Sequence, residues 1–129
     1  MLRYFSNFHG NLKIGDNVSV VRKVTKEDVM EFAKLSSDTN PIHFSDEKAV
    51  VHGAFLNGLV SGVIGTRLPG PGTLVITQTL NFPNKCFTGD TVTINVELVD
   101  VRKIIKVKFT CKTDDSVVLY GDAKLVLNK

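Results

Sequence analysis

The chain has 129 residues, which matches one domain of about 100–200 residues and is enough to bury roughly two-thirds of its unfolded surface. Hydrophobic residues at 43% and charged residues at 22% argue against intrinsic disorder. The 16 Lys plus Arg against 13 Asp plus Glu leave +3, scattered except for Arg102, Lys103, Lys106, Lys108 and Lys112, so no nucleic-acid partner is indicated. Two cysteines, Cys86 and Cys111, without paired spacing argue against a disulfide framework or zinc knuckle and make a reducing compartment the expectation.

At the N-terminus, Arg3, His9 and Lys13 precede the first acid, Asp16. Residues 1–12 therefore read either as a plain flexible tail or as the remnant of an organellar targeting segment. Asn17 to Val24 is a candidate strand. Thr25 to Ser36 is a candidate helix, because Thr25 is placed to cap the amide of Asp28 while Val24 and Val29 pack across its start, and Val29, Phe32 and Ala33 share a face. The helix is expected to stop before Asp38-Thr-Asn-Pro-Ile-His43, since Pro41 disfavours helical geometry at Asn40 and lacks the amide a helix interior needs. That leaves Asp38 and His43 on an ordered turn.

From Val51 the apolar residues Phe55, Leu56, Leu59, Val60, Val63 and Ile64 run around most of a helix circumference, the mark of a buried helix. Gly58, Ser61, Gly62 and Gly65 are its small members. Each internal glycine costs about 1 kcal/mol relative to alanine, so their number predicts close approach of another backbone, a sheet. The same stretch carries His52, Asn57 and Arg67 and is poor material for crossing a bilayer. Leu68-Pro-Gly-Pro-Gly72 then turns the chain. After Thr73 the period is two. Leu74, Ile76, Gln78, Leu80 and Phe82 share one face, and three further strands carry Val92 to Leu98, Ile105 to Cys111 and Val117 to Leu127. The expected class is α+β, a single antiparallel sheet covered by a buried helix; its open edges and uncovered face predict pairing with a second copy.

Taken singly, the polar residues have ordinary readings. Asp38 ahead of a proline turn suits a cap for local amides; His43 suits a surface or core histidine, Asn40 a brace for the turn, and His52 packing or orientation. Ser61 suits a steric role on the small-residue helix, and Gln78 either reaches a site or bonds to the buried helix. Together they form a longer pattern. Phe32-Ala-Lys-Leu-Ser-Ser-Asp38-Thr-Asn40-Pro41-Ile-His43, followed by Val51-His52-Gly53 and Gly58-Leu-Val-Ser61, resembles the hydratase 2 motif of the MaoC-like (R)-specific enoyl thioester hydratases. The resemblance continues through Leu68-Pro-Gly-Pro-Gly72 and Phe87-Thr-Gly89-Asp90 and covers most of the chain from about Val18.

The resemblance implies a hotdog fold, an antiparallel sheet wrapped around a central helix, and a homodimer that reversibly hydrates trans-2-enoyl thioesters. It also implies that Asp38 and His43 share the catalytic water, that the Gly53 amide binds the thioester carbonyl, and that Ser61 helps orient the site, with Asn40 and His52 as structural support. No metal or redox cofactor is implied. The substrate would be an acyl thioester of coenzyme A or of acyl carrier protein, with Arg67, Lys85 and Lys103 as candidate phosphate contacts. The pattern is most similar to the mitochondrial 3-hydroxyacyl thioester dehydratases of organellar fatty acid synthesis, which implies a mitochondrial location, with the cytoplasm as the alternative and no membrane or nucleic-acid partner.

Two departures stand out. Only eight residues separate His43 from His52, where the family usually inserts a segment longer by roughly two helical turns. Ser37 stands where the family usually has glycine, which bears on the backbone at that turn. The short loop leaves open a wider site, a changed acyl-length preference or lost activity. The rival readings are a hotdog acyl thioesterase, with a carboxylate and water attacking the carbonyl, and a non-catalytic acyl-thioester-binding protein. A serine hydrolase is disfavoured because Gly58-Leu-Val-Ser61-Gly62 lacks Gly-x-Ser-x-Gly spacing, and a helical zinc pair because His9, His43 and His52 do not form one.

Overall fold

β1 (Asn17–Lys23) leads through Val24 into α1 (Lys26–Ser36) in the computed structural model, which describes residues 11–128. The segment 1–12 read as a tail or targeting remnant lies, up to residue 10, outside the described residues. The start of α1 is a capping box. The Asp28 N–H donates to Thr25 Oγ1 at 3.1 Å, and the Thr25 N–H donates to the Asp28 carboxylate at 2.9 Å. Val24 and Val29, both buried, close over it. The helix ends on Ser37 in the left-handed region, φ 62°. A short 3-10 turn, Pro41–His43, follows with Pro41 at its start, where a missing amide costs nothing.

α2 (Gly53–Thr66) crosses to β2 (Thr73–Asn81), and β3 (Thr91–Val101), β4 (Ile105–Lys112) and β5 (Val117–Leu127) complete the chain. All pairings are antiparallel, in the order β1-β3-β4-β5-β2. The alternation in β3 and β4 puts Val92, Ile94, Val96 and Leu98 beside Ile105, Val107 and Phe109 on one face. There they meet Leu56, Val60, Val63 and Ile64 of α2. At about 1.5–3 kcal/mol per fully buried aliphatic side chain, those four residues contribute on the order of a whole domain's net stability. The fold therefore depends on α2. Among the described residues, no helix is long and apolar enough to cross a membrane.

Two expectations need correction. The helix glycines do not face a neighbouring backbone within the chain: a Cβ at Gly58, Gly62 or Gly65 would meet nothing within 4 Å. Gly58 and Gly62 are exposed on one face of α2 with Ala54 and Ser61, and Gly65 is half-buried. The close backbone approach occurs instead in the sheet, where a Cβ on Gly121 would collide with the Thr79 carbonyl of β2. The second correction concerns β2, which sits at the sheet edge with a bulge between Val75 and Thr77. Leu74 and Ile76, expected to share one face with Gln78, Leu80 and Phe82, lie before or in the bulge and are 51% and 52% exposed.

Candidate active site

The end of α1, the proline turn and the start of α2 bring Asp38, His43 and His52 together, one ligand-type atom from each lying within 4.8 Å of the others. The Asp38 N–H donates to Ser36 Oγ at 3.2 Å, and its carboxylate accepts from the Asn40 N–H at 3.3 Å. Asn40 in turn accepts from the Ile42 N–H at 3.3 Å through its side chain, so the predicted brace is an Asx-type turn. The Asp38 side chain is half exposed, that of His43 almost fully buried.

His43 has its tautomer set by a main-chain partner. Nδ1 faces the Val50 carbonyl, which can only accept, so Nδ1 carries the proton and Nε2 of the neutral ring carries the lone pair. Nε2 lies 3.8 Å from Asp38 Oδ2. That is beyond direct hydrogen bonding and suits a single water touching both groups. The short 44–51 connection is what places Val50. The Val50 N–H donates to the Ile42 carbonyl at 2.8 Å, the Val51 N–H to Cys86 at 2.7 Å, and the Thr88 N–H to Ala49 at 3.0 Å. The loop is short, yet it is pinned on both sides.

His52 joins the two halves of the site. Its Nε2–H donates to the Asp38 main-chain carbonyl at 3.1 Å, and its ring stacks on His43 with centroids 3.5 Å apart and planes 18° apart. Phe32 contacts it edge-on at 4.9 Å. Its Nδ1 is buried without a hydrogen-bond partner. As a metal cage the cluster fits poorly: in stacked rings the in-plane lone pairs run side by side rather than converging, and one nitrogen of each ring already donates to a carbonyl.

Gly53 opens α2. Its N–H is among the first amides of the helix, which have no intrahelical acceptor, and the His52 side chain provides no cap. The helix dipole adds positive character there, suited to a developing oxyanion. A cavity of about 750 Å³ runs past His43, Val51, Gly53, Ala54, Leu80 and Phe82 to Lys85. Phe82 closes over Gly53 so tightly that a Cβ there would fall 2.7 Å from its ring.

Asp38 is not part of the cavity wall and stands beside His43, which is. Ser61 stands two turns beyond Gly53 on the exposed face of α2 and does not line the cavity. Of the candidate phosphate contacts, Lys85 lines the cavity, Arg67 lines a separate groove beside Arg22, and Lys103 sits in the β3–β4 turn. Gln78 bonds to the helix, through Asn57. Two contributors escaped the sequence reading: the Val50 carbonyl, for which no side-chain signal exists, and Asn57, 21 residues from its partner.

Residues 12–118 match the MaoC like domain. The chain is 37% identical over 130 aligned positions to the 3-hydroxybutyryl-CoA dehydratase of Methylorubrum extorquens, covering 92% of this chain and 83% of that protein. It is 30% identical over 149 positions to the mitochondrial 3-hydroxyacyl-[acyl-carrier-protein] dehydratase of Solanum lycopersicum, covering 98% and 90%. The fold superposes on the (R)-hydratase of A. caviae involved in PHA biosynthesis with a TM-score of 0.84 at 31% identity, over 91% of this chain and 98% of that one.

Proposed function

This chain belongs to the MaoC-like domain family, and from that premise we propose that Asp38, His43 and the Gly53 amide add water reversibly across the double bond of trans-2-enoyl thioesters, giving (R)-3-hydroxyacyl thioesters. Its relatives are hydratases and dehydratases, and the chain is a hydro-lyase of acyl thioesters. The observation that carries the residue assignment is the 3.8 Å gap between His43 Nε2 and Asp38 Oδ2, beside a cavity whose wall includes the first amide of α2.

In hydration, water held between the two groups attacks C3 and loses one proton to the His43 Nε2 lone pair, while the Asp38 carboxylate accepts the other O–H and orients it. Negative charge moves onto the thioester oxygen, where the Gly53 N–H receives it. The proton on His43 then passes to C2, so water is consumed as hydroxyl at C3 and hydrogen at C2. Dehydration runs the same steps backwards. A placed acid or base supplies ~10²–10⁴ in rate and one oxyanion donor ~10²–10³. The chemistry calls for no cofactor beyond the thioester itself.

Ser61 is assigned to a subunit contact rather than to orienting the site, since the residue is exposed beside the open glycines. A second copy of this chain is the expected partner: Leu74, Ile76 and Phe82 are exposed on and just beyond edge strand β2, which pairs with β5 on one side only, a row that pairing would cover. Sedimentation should give a dimer and Ile76→Lys a monomer. Coenzyme A and acyl carrier protein both remain as carriers, with Lys85 at the cavity as the phosphate contact. The mitochondrial relative from Solanum lycopersicum supports a mitochondrial location.

The test is crotonyl thioester on each carrier, with absorbance and free thiol followed together. Hydration removes the conjugated absorbance without thiol and yields the (R) alcohol. Thiol release would establish the thioesterase reading instead, and tight binding without turnover the non-catalytic one.

A further inference from the structure

We propose that Asn57 and Gln78 form the stop at the acyl end of the cavity and so set the chain length of the thioester this protein accepts, an inference that rests on the hydration reading above. The cavity has a polarity. Lys85 marks one end, fitting a charged carrier, while Ala54, Leu56 and Leu80 line the part that runs along α2. Asn57 also lines it, one turn past Gly53, or about 6 Å along the helix. A tail whose thioester oxygen rests on the Gly53 N–H therefore meets Asn57 after a short run of carbons.

What it meets is a closed amide pair. Asn57 Nδ2 donates to Gln78 Oε1 at 3.1 Å, and Gln78 Nε2 donates back to Asn57 Oδ1 at 2.9 Å. The pair ties α2 to edge strand β2 and gives each amide one donated and one accepted hydrogen bond within the protein. A longer tail has to press hydrocarbon against these groups or part them, and parted amides facing an alkyl chain have lost their hydrogen bonds without replacement.

The experiment compares wild type, Asn57→Ala, Gln78→Ala and the exchanged pair Asn57→Gln/Gln78→Asn. Turnover is measured on crotonyl, hexenoyl, octenoyl and decenoyl thioesters, and binding on the unreactive saturated acyl-CoA series, with thermal melts confirming folding. Wild type should lose kcat/KM steeply as the chain lengthens. Either alanine variant should raise the octenoyl-to-crotonyl ratio of kcat/KM by about tenfold or more, chiefly through KM. The exchanged pair, which keeps two facing amides, should restore the short-chain preference. Chain-length ratios that stay within about twofold in both alanine variants, in turnover and in binding, would overturn the stop while leaving the hydration chemistry standing. Absence of turnover of every enoyl thioester by wild type would instead overturn the hydration reading, and the saturated series would still decide the stop.

Discussion

Replacing Asp38 by Asn separates the chemistry of the site from its architecture. An asparagine keeps an oxygen to accept the Asn40 N–H, now at 3.3 Å, and keeps the main-chain carbonyl that receives the His52 Nε2–H. The turn should survive. The carboxylate is 51% exposed, so loss of its charge should cost no more than about 0–1 kcal/mol of stability, as for exposed ion pairs. Its effect on turnover is of a different size. Without a carboxylate to orient the water and balance the charge arising on His43, kcat for crotonyl thioester should fall ~10²–10⁴, or about 2.7–5.4 kcal/mol of barrier. His43→Ala is the less clean perturbation, because it also removes a buried ring and strands the Val50 carbonyl, at about 1–3 kcal/mol. The assay is loss of conjugated absorbance in parallel with a thermal melt. An Asp38→Asn enzyme that melts like wild type and turns over within about tenfold of it would refute the shared-water assignment.

Other consequences follow from residues around the site. Ser37 occupies left-handed backbone at φ 62°, a placement costing about 1 kcal/mol for an L residue, so Ser37→Gly should raise the melting temperature by about 3 °C; a decrease would show that Ser37 is held without strain. Burial pushes the Cys86 and Cys111 thiols up to about 12. Native protein at pH 8 should therefore resist thiol reagents that label both cysteines after denaturation, and stability should decline as pH rises above the ordinary thiol value of about 8.5; rapid labelling of native protein would contradict this. The main-chain amide of Thr25 holds the Asp28 carboxyl below its usual value, with Thr25 Oγ1 and Arg22 adding to this. Its contribution is therefore present above about pH 4 and lost as pH falls through the depressed value. Asp28→Asn should cost about 1 kcal/mol at pH 7 and progressively less as pH falls below about 4, as read from denaturant melts across that range.

Local rules made much of the molecule legible. The Thr25–Asp28 box, the stop imposed by Pro41 and the period-two strands each depend on residues a few positions apart, and each appears where the spacing puts it. What escaped depends on distant partners. The bulge at Val75–Thr77 breaks the period of two within β2, so Leu74 does not share a face with Gln78 and Leu80, and it is visible only against β5. The helix glycines suggested a covered face, yet the chain alone leaves that face open. The short His43–His52 connection could be read as a threat to the site. Its pairing with residues 86–88 holds Val50 against His43 through main-chain atoms that no side-chain pattern reports.

The most direct measurement is a crystal structure with butyryl-CoA, a saturated thioester that cannot react. The account predicts its carbonyl oxygen about 3 Å from the Gly53 nitrogen and an ordered water within hydrogen-bonding reach of both Asp38 Oδ2 and His43 Nε2. A thioester seated elsewhere, or one whose C3 lies out of reach of any water held by that pair, would contradict it.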